Sequence, residues 1–99
     1  MTVPAQRLEG VARDLYFFRT PSAWETWPYF AVVRHRPDGE MDCGVLYDFT
    51  HSSRRTGYGC TVFLCNFFQV PDTEDELLAL PKEVFNTFEE MTAAGWAVD

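Results

Sequence analysis

The chain has 99 residues, 46% of them apolar and 16% aromatic, and a formal net charge of −7. That length fits one domain spanning 1–99, and the apolar content favours a packed core over disorder. The acidic balance argues against a nucleic-acid binder, which needs cations to neutralise phosphates.

The N-terminal part, residues 1–28, reads as an irregular segment. Pro4 can open a helix, and Leu8, Val11, Ala12 and Leu15 fall at helical spacing. Gly10 weakens that pattern, and Leu15 to Phe18 suit a short strand equally well. The stretch TPSAWETWPYF then brings two prolines with Trp24, Trp27 and Tyr29, rings suited to packing an irregular segment onto the body.

Residues 29–68 read as an antiparallel meander of three strands. YFAVVRHR and CGVLYDF flank Pro37-Asp38-Gly39-Glu40, a strong turn signal, and GCTVFLCNFF forms a third β-prone run that ends before Pro71. A hairpin turning about residues 39 and 40 sets Phe30 opposite Phe49, Val32 opposite Tyr47 and Arg36 opposite Cys43. Folding the next pair about Arg54 sets Val45 opposite Phe63 and Cys43 opposite Cys65. One face then carries Phe30, Val32, Val45, Tyr47 and Phe63, and the other Ala31, Val33, Leu46, Val62 and Leu64. Both faces are apolar, so both need covering. A one-residue slip exchanges faces without changing that conclusion.

Residues 72–99 read as a helical C-terminal part. Thr73 with Glu76 and Thr87 with Glu90 form capping boxes, the first helix stops before Pro81, and Gly95 suits a left-handed helix cap with Trp96 touching Met91. WAVD suits a short edge strand beside KEVF. The expected fold class is α+β: an antiparallel meander sheet of three to four strands with two short C-terminal helices packed on it. Residues 1–71 hold seven basic and seven acidic side chains, so the whole acidic excess lies in residues 72–99, where Lys82 is the lone cation. Such a run reads as a solvated helical surface.

The ending EVFNTFEEMTAAGWAVD, together with TVFLCNFF before it, resembles a family of small uncharacterised bacterial proteins of unknown function. The likeness covers the C-terminal half and implies no activity and no functional residue.

The candidate site is a connection longer than a tight turn needs, with two adjacent arginines: Thr50, His51, Ser52, Ser53, Arg54, Arg55, Thr56 and Gly57. In a meander it lies at the same end of the sheet as the start of the first strand. Trp24, Trp27, Tyr29, Tyr58 and His51 are thereby expected near Arg54 and Arg55. Guanidinium groups beside aromatic rings and hydroxyls suit an anion, a phosphate or a partner's carboxylates. The plainer reading is a solvated connection with arginines lying over the rings.

Other chemistry fits less well. Cys43, His51, Cys60 and Cys65 lack paired metal-knuckle spacing and cannot converge in this register, so no metal is expected. Asp48, His51 and Ser53 share one short segment, which suits a hydrogen-bonded turn better than a triad. His35 is explained as an exposed strand end. Three cysteines, an opening without signal-peptide character and no apolar run of membrane length lead us to expect a reduced, cytoplasmic chain without a membrane partner. No catalytic residue or cofactor is expected. The first functional expectation is a non-enzymatic protein-interaction or scaffold domain that self-associates as a homodimer. One C-terminal helical layer does not cover both apolar sheet faces, so the N-terminal segment or a second copy must cover the other, and a small aromatic-rich domain gains from extra burial. The alternative is a small anion- or phosphate-ligand binder, or an enzyme, working at the Trp/Arg end of the sheet.

Overall fold

A computed structural model describes the backbone of residues 5–51 and 57–99 and the side chains of residues 10–50 and 57–99. The architecture is α+β, with a five-stranded antiparallel sheet, an N-terminal helix and short C-terminal helices. In chain order these are α1 (Ala5–Arg19), β1 (Tyr29–His35), β2 (Met41–Tyr47), β3 (Thr61–Phe63), α2 (Glu74–Leu78), β4 (Lys82–Val84), α3 (Phe88–Ala93) and β5 (Trp96–Val98). The sheet order is β4-β3-β2-β1-β5. The first four strands follow one another as a meander, and the last crosses to the far edge.

The segment expected to be irregular instead holds a 15-residue helix, which also replaces the strand considered for Leu15 to Phe18. Among its described side chains, Asp14 and Phe18 are buried, one turn apart, whereas Val11 is 40% exposed. The described part of the helix therefore docks through Asp14 and Phe18 and not through the apolar positions Val11 and Ala12. Pro21 restricts the backbone before it, so the helix ends at Arg19 and a 3-10 turn over Pro21–Ala23 follows. Trp24 is then driven into the core, stacked on Phe30 with ring centroids 5.2 Å apart.

The first hairpin is tighter than expected. Gly39 N donates to Arg36 O at 3.1 Å and Arg36 N to Glu40 O at 2.8 Å, while Gly39 takes φ +89°. This is a three-residue loop closed by a left-handed glycine, and its apex is Asp38. The ladder consequently slips by three residues, bringing Phe30 opposite Leu46 and Val32 opposite Gly44. The odd slip turns β1 over relative to β2. Between β2 and β3 the expected pairing of Val45 with Phe63 is present.

One face gathers Val32, Leu46, Val62 and Trp96 with Phe18, Trp24 and Met91. The other gathers Val45, Tyr47 and Phe63 with Leu77 of α2. Both faces are thus apolar, and both are covered within a single chain. The N-terminal helix and α3 cover the first, and α2 and its approach cover the second. The third strand is shorter than the β-prone run 59–68. Beyond Phe63, Asn66 Oδ1 accepts from Phe68 N at 2.9 Å and caps a 3-10 turn over Phe67–Gln69, so a local bond displaces the ladder.

The C-terminal signals form as the residues direct. Thr73 Oγ1 accepts from Glu76 N at 3.2 Å and Thr87 Oγ1 from Glu90 N at 3.1 Å. Glu90 returns a bond to Asn86 N at 3.0 Å, one residue ahead of the cap. Gly95 at φ +100° ends α3, and Trp96 and Met91 join one core cluster. WAVD does form an edge strand, but beside β1 and not beside KEVF. Trp96 explains the choice. Its indole lies across the sheet, Nε1 donating to Glu83 Oε1 on β4 at 3.3 Å, with the Arg34 guanidinium 4.5 Å above the ring. Arg34 also donates to both Glu83 carboxylate oxygens at 2.8 Å and to Asp42 at 2.9 Å, linking β1, β2, β4 and β5. The Arg36 and Arg34 guanidiniums beside Asp42 hold its carboxyl below the usual range.

Thr61 is an orphan in this core. It is 1% exposed, and its Oγ1 finds no hydrogen-bond partner among the described residues. Thr61→Val keeps the shape and removes the unsatisfied hydroxyl, so urea unfolding is expected to show a gain of about 1 kcal/mol. A loss of stability would show that the hydroxyl is bonded in the folded protein.

Candidate ligand cavity

The cavity forms where β2 runs out. Asp48 follows Tyr47, and its N–H donates to Pro28 O at 2.9 Å. Among the donors to its carboxylate are Thr50 N at 3.0 Å and Thr50 Oγ1 at 2.6 Å, both to Oδ1, and Trp27 Nε1 at 2.8 Å to Oδ2. The Thr50 bonds make the hydrogen-bonded turn that the short Asp-x-Thr spacing favours. The Trp27 bond ties that turn to the segment entering β1. Asp48 is 7% exposed, whereas Trp27 is about half exposed, so the tie is part-buried.

Beside this junction the end of α1, the end of β2 and the start of α3 stand apart and leave a cavity of about 420 Å³. Phe18, Trp24, Leu46, Phe49 and Phe88 supply its apolar walls, with Cys60 at the side and Arg19 and Asp48 at the margin. Arg19, Pro21, Asp48 and Thr50 also border a second cavity of about 570 Å³, where Trp27 and Ser22 form the other walls. The polar groups at the margin are engaged. Trp24 Nε1 donates to Phe17 O at 2.7 Å, and the Arg19 guanidinium donates to both carboxylate oxygens of Glu89. Burial, helped by Glu89, pushes the Cys60 thiol up, so it stays protonated at neutral pH.

The residues singled out from sequence divide among three places. Trp24 and Trp27 stand at the two cavities, the first buried and the second about half exposed. Tyr29 and Tyr58 pack with the cluster on the opposite face of the sheet. There Tyr29 lies 4.9 Å from Tyr47, whose hydroxyl donates to Glu74 at 2.8 Å. Burial first, then Glu74, holds the Tyr47 hydroxyl well above its ordinary range, and burial also raises Tyr29. Arg54, Arg55, Ser53 and the side chain of His51 lie outside the described residues. Of the cysteines, Cys43 is exposed, Cys60 borders the cavity and Cys65 packs on the opposite face. His35 is exposed at the end of β1.

Phe18, Arg19, Leu46 and Phe88 carry no sequence signal for a site, because they become neighbours only when α1 and α3 dock on one face. Asp48 had a signal in its spacing to Thr50, though that spacing announces a turn and not a cavity. Among the described residues no helix is long and apolar enough to cross a membrane. Comparison with family models, curated proteins and solved structures finds no match, so the site stands on its own geometry.

Proposed function

We propose that the protein is a small-molecule-binding domain whose site is the cavity between α1, β2 and α3. The observation that carries this reading is the cavity itself: about 420 Å³, aromatic-walled, with a few polar groups at its margin. Binding pockets for small molecules have that size and that balance of apolar walls to placed polar groups. Binding without catalysis is the better match to the side chains present. The Cys60 thiol is held in its unreactive protonated form, and Asp48 serves a turn and a tryptophan. A ¹⁵N NMR titration with indole is expected to move the Trp24 indole N–H and the backbone resonances of Phe18, Leu46 and Phe88. Shifts confined to the opposite face, around Phe63 and Leu77, would defeat the assignment.

A protein-interaction or scaffold role has one observation in its favour. Phe68 is 91% exposed on its 3-10 turn, edge-on to Phe67, an unusual position for a large apolar ring. Both sheet faces are packed by elements of the same chain, so a homodimer would rest on the small size and aromatic content of the domain and not on an uncovered face. Sedimentation equilibrium at high micromolar concentration tests it, and a strict monomer would end the self-associating version.

A further inference from the structure

We infer that the ligand of this cavity is a neutral, flat aromatic molecule of about two rings; this rests on the small-molecule reading above and specifies its chemistry. Phe18, Trp24, Phe49 and Phe88 line the cavity together with Leu46. Rings gain most against such walls by offset or edge-to-face contact, on the order of 1 kcal/mol per pair beyond burial. Size points the same way. A cavity of about 150 Å³ accepts benzene, so about 420 Å³ leaves room for two fused rings with a substituent.

Among the described residues, the charged groups at the margin are already engaged. The Arg19 guanidinium is held by Glu89, so an anion drawn to it must compete with an existing bidentate pair. The Asp48 carboxylate is engaged by Trp27 and Thr50, so a cation approaching it must compete with those donors. The Trp24 N–H is spent on Phe17 O. Among the described residues, a charged ligand therefore finds no uncommitted partner to replace its hydration, and that loss is large against apolar walls. A neutral ring system loses little. One uncharged polar substituent is accommodated where the cavity adjoins its neighbour, beside Ser22 and Thr50.

The test uses three ligands of one shape: 2-naphthylmethanol, 2-naphthoate and 2-naphthylmethylamine, titrated into the full chain at neutral pH and read by the Trp24 indole N–H and by calorimetry. The expected result is that the alcohol binds at least ten-fold more tightly than either ion. Equal affinities, or preference for the amine, would overturn the neutral-ligand inference while leaving the site. Preference for the naphthoate would overturn it too, and would show an anion site in its place. Failure of all three to bind would remove the small-molecule reading together with the inference.

Discussion

Replacing Gly44 with alanine is expected to destabilise the protein by about 3 kcal/mol, the upper part of the range for overpacking a filled core. A Cβ at this position would stand 2.3 Å from Val62 Cγ1 and 3.3 Å from both Phe63 O and Trp96 Cη2. The glycine is thus required by close approach. Its missing side chain is the space through which the Trp96 indole and Val62 meet on one face of β2. Alanine has the better intrinsic strand preference by roughly 0.5–1 kcal/mol, which offsets only part of the strain. Val62 is fully buried and cannot swing outward, so relief must come from the strand itself. Urea unfolding measures the loss, and adding Val62→Ala to Gly44→Ala should cost less than the two changes summed, because the smaller neighbour removes the 2.3 Å contact. A neutral Gly44→Ala variant would mean that the strands do not pack this closely.

Trp96→Ala is expected to cost about 4 kcal/mol, in the range for emptying a large aromatic site. The side chain is 1% exposed, and it is the largest of those fully enclosed. Its removal leaves a cavity over Gly44 and takes away the ring under the Arg34 guanidinium, a contact worth on the order of 1 kcal/mol. Trp96→Phe keeps most of the ring but loses the Nε1 bond to Glu83, so it should cost markedly less than alanine. Thermal and urea unfolding decide the matter. A loss below roughly 1.5 kcal/mol for alanine would be ordinary for any position and would contradict the bridging role.

Local chemistry in the sequence predicts local structure here, and fails where distance along the chain intervenes. Thr73, Thr87 and Gly95 cap and terminate helices through bonds within four residues, so their signals translate directly. The double-sided apolar pattern of the central strands correctly implies two covered faces. The first hairpin's register was not legible, because Pro37-Asp38-Gly39 allows several loop lengths and the left-handed Gly39 selects the shortest of those consistent with the ladder. The crossing of β5 to β1 was not legible either. It depends on Trp96 reaching across to Glu83 and on Arg34 stacking above it, contacts 13 and 49 residues apart in sequence for Glu83 with Trp96 and with Arg34.

The site was legible in the same uneven way. Trp24 and Trp27 were singled out for their place at one end of the sheet, and they do border the two cavities. Tyr29 and Tyr58 were grouped with them by that same proximity of sheet ends, but alternation along β1 sends Tyr29 to the opposite face, where Tyr58, ahead of β3, also packs. The helix reading needed to find Phe18 was weakened by Gly10 and by an apolar stripe in which Val11 and Ala12 are exposed. Without α1 in place, the wall opposite Leu46 could not be drawn.

The central claim is that an apolar, ligand-ready cavity lies between α1, β2 and α3. Diffraction from crystals pressurised with xenon tests it most directly, because apolar cavities stay dry and take up the gas. Xenon density among Phe18, Trp24, Leu46 and Phe88 is the predicted result. Ordered water filling that space, or side chains closed across it with no xenon bound, would contradict the account.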